Sequence, residues 1–254
     1  MKIIRSAENK LIKYARRLID RPKRDYGCFV VEGKKFVLEI PVDDHSWQIE
    51  HILLAEDSAL LYQDITKTAE VSIVANHIFE KISDTVSPQG MLAIVRKREF
   101  SMEDISDGSP ILLLEDIRDP GNLGTILRTA YSAGASGLIL SPECVNIYSP
   151  KVVWASASAI FHLPFITADL RHIIPALQNR GNKIFAASSY AHEDIYSQNF
   201  VSPCGFVIGN EAQGISDGVG RLADSHIRIP AKGESLNAAV AASIMLYEAF
   251  RQRI

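Results

Sequence analysis

The 254-residue sequence predicts an α/β protein: a small N-terminal α/β unit, then a larger domain on a mostly parallel sheet with helices on both faces. Three observations carry this expectation. Short apolar runs alternate with helical patterns along the chain. Ile111–Glu115 and Gly205–Gly209 are continuously apolar rather than alternating, as in strands buried on both faces. Polar segments containing glycine follow Gly205–Gly209 and Ile227–Ile229, at the carboxyl ends of strands, where open α/β sheets place their ligands. The largely charged, Ser- and Gly-containing stretch from Lys97 to Pro110 marks the boundary, giving domains of residues 1–99 and 110–254.

In order, Ser6 is placed to cap a helix over Ala7–Asp20, with Leu11, Ala15, Leu18 and Ile19 on one face, ended by Arg21-Pro22. Cys28–Glu32 reads as a strand, and Lys34–Ile40 as a helix stopped by Pro41. Ile49–Ala55 is a strand, Ser58–Thr68 a helix and Val71–Val74 a strand. Asn76 caps a short helix to Ile82, and Met91–Val95 is a strand preceded by a turn at Gly90. In the second domain Ile111–Glu115 leads to a helix capped by Asn122 and closed by Gly134. Gly137–Ser141 is a strand and Lys151–Phe161 a helix. Asp169–Asn179 is a helix interrupted by Pro175, and Lys183–Ala187 a strand. Gly205–Gly209 and Ile227–Ile229 are strands, and Ser235 opens a long final helix through the alanine-rich segment after Asn237.

Composition narrows the function classes. The chain is 47% hydrophobic and 22% charged, ordinary for a globular protein, and no apolar run approaches the ~20 residues that span a bilayer. The start lacks the apolar core of a secretory signal, and the three cysteines form no CxxC pair, so a reducing cytoplasmic setting without disulfides is expected. The seven histidines show no metal-binding spacing, so no metal is expected. Net charge is −3, yet residues 1–35 hold eleven Lys or Arg against four acids. Such a local excess is either a solvated helix face or a phosphate-attracting one.

Three polar clusters invite a chemical reading. Asn122 and Arg128 sit on one helix, six residues apart and off a common face. Gly209-Asn210-Glu211 with Gly214 follows an apolar strand. Ser235 and Asn237 open the last helix. Each has a structural alternative: a cap with a surface arginine, a turn, a helix N-terminus. Neither a GxGxxG fingerprint nor a Walker loop occurs, so no nicotinamide dinucleotide or nucleoside triphosphate is indicated. Chemistry alone stops at a small-molecule site in an α/β domain.

Taken in order, the segments DPGNLGTILRTA (119–130), FVIGNEAQGIS (206–216) and IRIPAKGESLNAAVAASIMLYEAF (227–250) resemble the three motifs of the SpoU (TrmH-like) RNA ribose 2′-O-methyltransferases of the SPOUT superfamily. FVVEGKKFVLEI and ISDTVSPQGMLAIV resemble the substrate-binding domain often attached to them, so the likeness covers nearly the whole chain. It implies a deep trefoil knot in the C-terminal parallel-sheet domain, with S-adenosylmethionine held there, and a small N-terminal RNA-binding domain. It implies cofactor contacts, largely through backbone, from Gly209, Asn210, Gly214, Ile229, Pro230 and Leu236. It implies a polar active-site set of Asn122, Arg128, Glu211, Ser235 and Asn237, a homodimer, and rRNA, or secondarily tRNA, as substrate. Two departures stand out: motif three is about two residues short with Ala231 at a methionine position, and Ser158 occupies a position where relatives commonly carry glycine.

The implied reaction is attack of a ribose 2′-hydroxyl on an activated methyl. A guanidinium stays protonated in proteins, so Arg128 is better suited to stabilise a developing alkoxide or grip a phosphate than to act as the base. Single-stranded or loop RNA, which can splay its bases, is the favoured target. Tyr14, Tyr26 and Phe29 are stacking candidates, with core packing the better alternative for each. A catalytically inactive RNA-binding paralogue and, behind it, a nicotinamide-dependent oxidoreductase are the competing readings; intact Asn122, Arg128, Glu211, Ser235 and Asn237 speak against the first, and the missing glycine fingerprint against the second.

Overall fold

The computed structural model describes residues 3–22, 24, 26–42, 46–59, 69–233 and 236–254. The expected helix over Ser58–Thr68 from Leu60 onward, together with Lys23 and Ser235, lies outside them. The chain forms two compact units: Met1–Arg98 with Asn146–Phe161, and Glu99–Val145 with His162–Ile254.

The first unit opens on α1 (Lys10–Asp20), which starts later than expected because Asn9, not Ser6, is its cap: the Asn9 side chain accepts from Leu11 N at 2.9 Å. Ser6 instead accepts from Glu8 N in the preceding turn. Strand β1 (Cys28–Glu32), α2 (Lys34–Leu38), β2 (Ile49–Ala55), β3 (Glu70–Val74), α3 (Asn76–Ile82) and β4 (Met91–Arg96) follow. The four strands lie in the order β1-β4-β2-β3, with only β2 and β3 parallel. Ile12, Ala15 and Leu18 of α1 meet Val30, Leu53, Leu92 and Ile94 of the sheet and Ile78 and Phe79 of α3 in one buried cluster. Tyr14 and Tyr26 pack against that cluster, and Phe29 is 2% exposed. Packing thus accounts for all three aromatic stacking candidates.

In the second unit β5 (Ile111–Leu114) leads to α4 (Pro120–Ser132) and β6 (Gly137–Leu140). The next helix, α5 (Pro150–Ala155), belongs to the first unit. Then come β7 (Phe165–Thr167), α6 (Leu170–Asn179), β8 (Lys183–Ala187), β9 (Glu193–Asp194), β10 (Cys204–Ile208), α7 (Asp217–Gly220), β11 (Ser225–Arg228) and α8 (Ala238–Arg253). The seven-stranded sheet runs β7-β6-β5-β10-β8-β11-β9, every adjacent pair parallel. On one face Ile111, Leu113, Ile139, Ile184 and Val207 pack with Leu170, Ile174 and Leu177 of α6 and Val219 of α7. Alternation sends Phe185 and Phe206 to the other face, where they stack edge-on with Phe200 and where α8 packs on α4 and β10. Helix α6 runs through Pro175 to Asn179. The chain leaves β5 toward β6 and β7 on one side and returns to β8 and β10 on the other, so the switch point of the sheet lies between β5 and β10.

Lys151–Phe161 is expected from the sequence to be one helix. Instead α5 ends at Ala155, and a 3₁₀ turn covers Ala159–Phe161. Between them Ala157 (φ 46°) and Ser158 (φ 73°) take left-handed conformations that cost an L-residue roughly 1–2 kcal/mol each. Tertiary bonds inside the first unit compensate. The Ser158 hydroxyl donates to the Glu39 carboxylate, Trp47 Nε1 donates to the Phe161 carbonyl at 2.9 Å, and Phe29, Trp47, Tyr148 and Phe161 form one aromatic cluster. A left-handed backbone at 158 is the physical reason a glycine suits this position.

Candidate active site

At the switch point, the sequence that follows β5 folds sharply. Helix α4 begins at Pro120, and its cap is Asp119, whose Oδ1 accepts from Asn122 N at 2.7 Å. The expected capping role of Asn122 is therefore taken by Asp119, with Pro120 suited to the first helical position. This frees the Asn122 side chain, one turn in. Its Nδ2 donates to Glu211 Oε1 at 2.7 Å, and its Oδ1 accepts from Asn237 Nδ2 at 2.9 Å. Residues of all three motifs, the outer two 115 positions apart, thus meet in one hydrogen-bonded line. Asn237, rather than Ser235, is the cap of α8, its Oδ1 accepting from Ala239 N and Val240 N. One amide therefore ends a helix and joins the cluster at the same time.

Glu211 stands in the loop between β10 and α7, and that loop is closed on itself. Asn210 and Gly214 exchange backbone hydrogen bonds at 3.0 and 2.9 Å, and Gly214 has φ +71°. A Cβ on Gly209 would lie 2.3 Å from the Gly214 carbonyl carbon, so glycine at 209 is required by the loop's own backbone contact. Asn210 accepts from Ala212 N and Gln213 N and donates through Nδ2 to Asp116. At the far end of the loop Ser216 donates from N and Oγ to the Glu115 carboxylate at 2.8 and 2.6 Å. Glu115 and Asp116, which follow β5, were not singled out in the sequence. Their signal was two consecutive acids immediately after a fully buried strand.

Arg128 lies on α4 and is exposed; among the described residues no side-chain bond joins it to Asn122, Glu211 or Asn237. Six residues at 100° each place it well round the helix from Asn122. Ile229 is half-buried, and Pro230 and Leu236 are exposed at the same carboxyl edge. These residues suit a group with a flat apolar base and a cationic centre: Ile229, Pro230 and Leu236 offer apolar surface, Glu211 offers negative charge, and the closed 209–214 loop offers backbone. Among the described residues no group of His, Cys, Asp and Glu is arranged to hold a metal.

A parallel α/β domain with an amide–carboxylate cluster at its switch point is a small-molecule-binding enzyme domain of the doubly wound kind. The particular family follows from comparison. Residues 109–247 match the SpoU rRNA Methylase family, and residues 9–93 match the MRM3-like substrate binding domain. The chain belongs to the SpoU rRNA methylase family. It is 27% identical to the 23S rRNA (guanosine(2553)-2′-O)-methyltransferase RlmP of Bacillus subtilis over 97% of this chain and 98% of that one. The AdoMet-bound rRNA methyltransferase from Sinorhizobium meliloti superposes with a TM-score of 0.87 at 30% identity, covering 100% of this chain and 98% of that one. The SpoU methyltransferase AviRb from Streptomyces viridochromogenes in complex with AdoMet gives a TM-score of 0.87 at 27% identity, covering 97% and 98%.

Proposed function

We propose that this protein transfers a methyl group from S-adenosylmethionine to a ribose 2′-hydroxyl of RNA, with rRNA the favoured substrate. The observation that carries the reading is the line Asn237–Asn122–Glu211, which joins all three family motifs at the switch point of the sheet. S-adenosylmethionine, when bound, supplies an already activated methyl, so the protein's task is to position the hydroxyl and manage one proton. Asn122 fixes the Glu211 carboxylate, and Asn237 fixes Asn122. Glu211 is then the group that orients the hydroxyl and takes its proton, while Arg128 acts as a fixed cation toward the developing alkoxide or a neighbouring phosphate. Gly209, Asn210, Gly214, Ile229, Pro230 and Leu236 would hold the cofactor. Asn210 would do so by keeping the loop closed, because its backbone is paired with Gly214 and its side chain is committed to Asp116 and its own loop. Ser235 would join the polar set.

The chain after β11 passes to α8 on the α4 face, whereas α7, before β11, packs with α6 on the opposite face. We propose that the connection between β11 and α8 threads the 209–216 loop as a trefoil knot, as the family resemblance implies. The first unit would bind the RNA substrate. Its helix α1 carries exposed Lys10, Lys13, Arg16 and Arg17, of which Lys13 pairs with Glu8 and Arg16 with Asp20. A homodimer is supported by Val240, Tyr247 and Phe250, which are exposed at helical spacing on α8. No helix among the described residues is long and apolar enough to cross a membrane.

The test joins calorimetry with S-adenosylmethionine, light scattering for oligomeric state, and a map of RNase-resistant ribose methylations in cells with and without the gene. Cofactor binding, a dimer and one missing methylation are expected. An unchanged methylation map would refute the activity.

A further inference from the structure

We propose that Arg118 is an RNA-phosphate-binding residue of this active site and that Asp116 is the positioning residue presenting it. The proposal rests on the methyltransferase reading above. Asp116 has φ 54°, a left-handed backbone that an L-residue adopts only at a cost. Each of its polar groups is engaged. Its N–H donates to Ser141 Oγ at 3.0 Å, and Asn210 Nδ2 donates to its carbonyl at 2.9 Å and to Oδ2 at 3.2 Å. The remaining oxygen, Oδ1, accepts from Arg118 Nε at 2.8 Å.

Grip on Asn210 does not by itself explain the carboxylate, because the backbone carbonyl already makes the shorter of those two bonds. Nor does stability: the Arg118 side chain is 69% exposed, and exposed ion pairs contribute little. What the carboxylate adds is control of Arg118. Among the described residues only Nε is engaged and the terminal nitrogens meet no carboxylate, which leaves that side of the exposed guanidinium fork available to a phosphate. Arg118 directly precedes the Asp119 cap of α4, whose N-terminal dipole also attracts anions, and Asn122 follows in the first turn. Asp116 first, by hydrogen bond and charge, and Glu211 to a smaller degree raise the proton affinity of Arg118, which puts this cation within electrostatic reach of the cluster.

The experiment compares wild type, Arg118→Ala, Arg118→Lys, Asp116→Gly and the Arg118→Ala/Asp116→Gly double variant. Binding of an unmodified 23S rRNA transcript is measured across salt concentrations, tritium transfer from S-adenosylmethionine gives KM and kcat, and calorimetry gives cofactor affinity. Arg118→Ala should raise KM for RNA about tenfold, the range of a charge-assisted hydrogen bond. It should flatten the log–log salt slope by about 0.7, with kcat and cofactor affinity held within twofold. Arg118→Lys should restore the slope but only part of the affinity. Asp116→Gly relieves the backbone, keeps the carbonyl for Asn210, and should shift KM in the same direction. The double variant should be no worse than Arg118→Ala, because both changes remove one device. An unchanged KM and slope in Arg118→Ala would overturn the phosphate role, and additive losses in the double variant would overturn the positioning role of Asp116. A wild type that binds RNA without methylating it would sink the functional reading alone, since the salt slopes still decide Arg118.

Discussion

Replacing Asn122 by aspartate changes one atom type in the cluster and reverses its electrostatics. In the wild type Asn122 Nδ2 donates to Glu211 Oε1 at 2.7 Å. In Asn122→Asp a carboxylate oxygen faces Glu211 at that distance. Two unit charges 2.7 Å apart repel by about 1.5 kcal/mol at the dielectric of water. Loss of the hydrogen bond adds about 1 kcal/mol. Together they lower the melting temperature by roughly 5–10 °C for a chain of this size. Like charges at this range titrate as a coupled pair with one apparent pKa raised. A folded-state pKa above its unfolded value means that the folded state binds the extra proton. The deficit relative to wild type is therefore small at low pH and grows as pH rises through the raised pKa. Scanning fluorimetry from pH 4 to 8 measures it, and Glu211→Gln in the same background should abolish the pH-dependent part. A deficit that is flat with pH, or that survives Glu211→Gln, would refute contact between the two side chains.

Arg128→Ala should leave cofactor binding intact and slow single-turnover transfer by about 10²–10³, with the same pH slope as wild type; a slope lost only in the variant would make Arg128 the base. Reversing Arg16, Arg17 and Arg24 to Glu should weaken RNA binding and flatten its salt dependence without touching cofactor affinity, as filter binding will show. Glu248, almost fully buried, is held below the ordinary glutamate range chiefly by its bidentate bonds to Arg251 at 2.8 Å. Its contribution is present above the ordinary value of about 4.3 and fades as pH falls through the lower folded value, so Glu248→Gln should flatten the acid limb of a stability profile. Ser158→Gly should be more stable than Ser158→Ala by about 0.5–1 kcal/mol in denaturant melts, since both lose the Glu39 bond and only glycine relieves the left-handed backbone.

The strands of the second unit were legible because burial on both faces writes itself as unbroken apolar runs, and Ile111–Leu114 and Cys204–Ile208 sit where that signal pointed. Caps were less legible. Asp119, Asn122, Ser235 and Asn237 are all acceptable caps by residue type, and only three-dimensional partners decide that Asp119 and Asn237 cap while Asn122 reaches sideways to Glu211. Motif order groups Asn122, Glu211 and Asn237, which do meet, and helical spacing already sets Arg128 off the face of Asn122; neither can foretell that Asn122 is the middle of the line. The role of Asp116 is not legible in the sequence because it depends on a positive φ, which an aspartate adopts in only a minority of places. The two-residue strand β9 and the four-residue helix α7 are too short for any periodicity to accumulate.

The membership of residues 146–161 in the first unit has a consequence for synthesis. As the chain emerges from the ribosome, the four-stranded sheet is complete once Arg96 is out, but the ring face of Phe29 and Trp47 still lacks Tyr148 and Phe161. At ordinary translation speeds of about 5–20 residues per second that face stays uncovered for several seconds. During this interval β5, α4 and β6 of the second unit are also made, although β10, the neighbour of β5, does not yet exist. The nascent chain therefore carries two unfinished surfaces at once, and a rare-codon pause between residues 98 and 146 would prolong that state, whereas one after residue 161 would let the first surface close before the larger sheet is assembled.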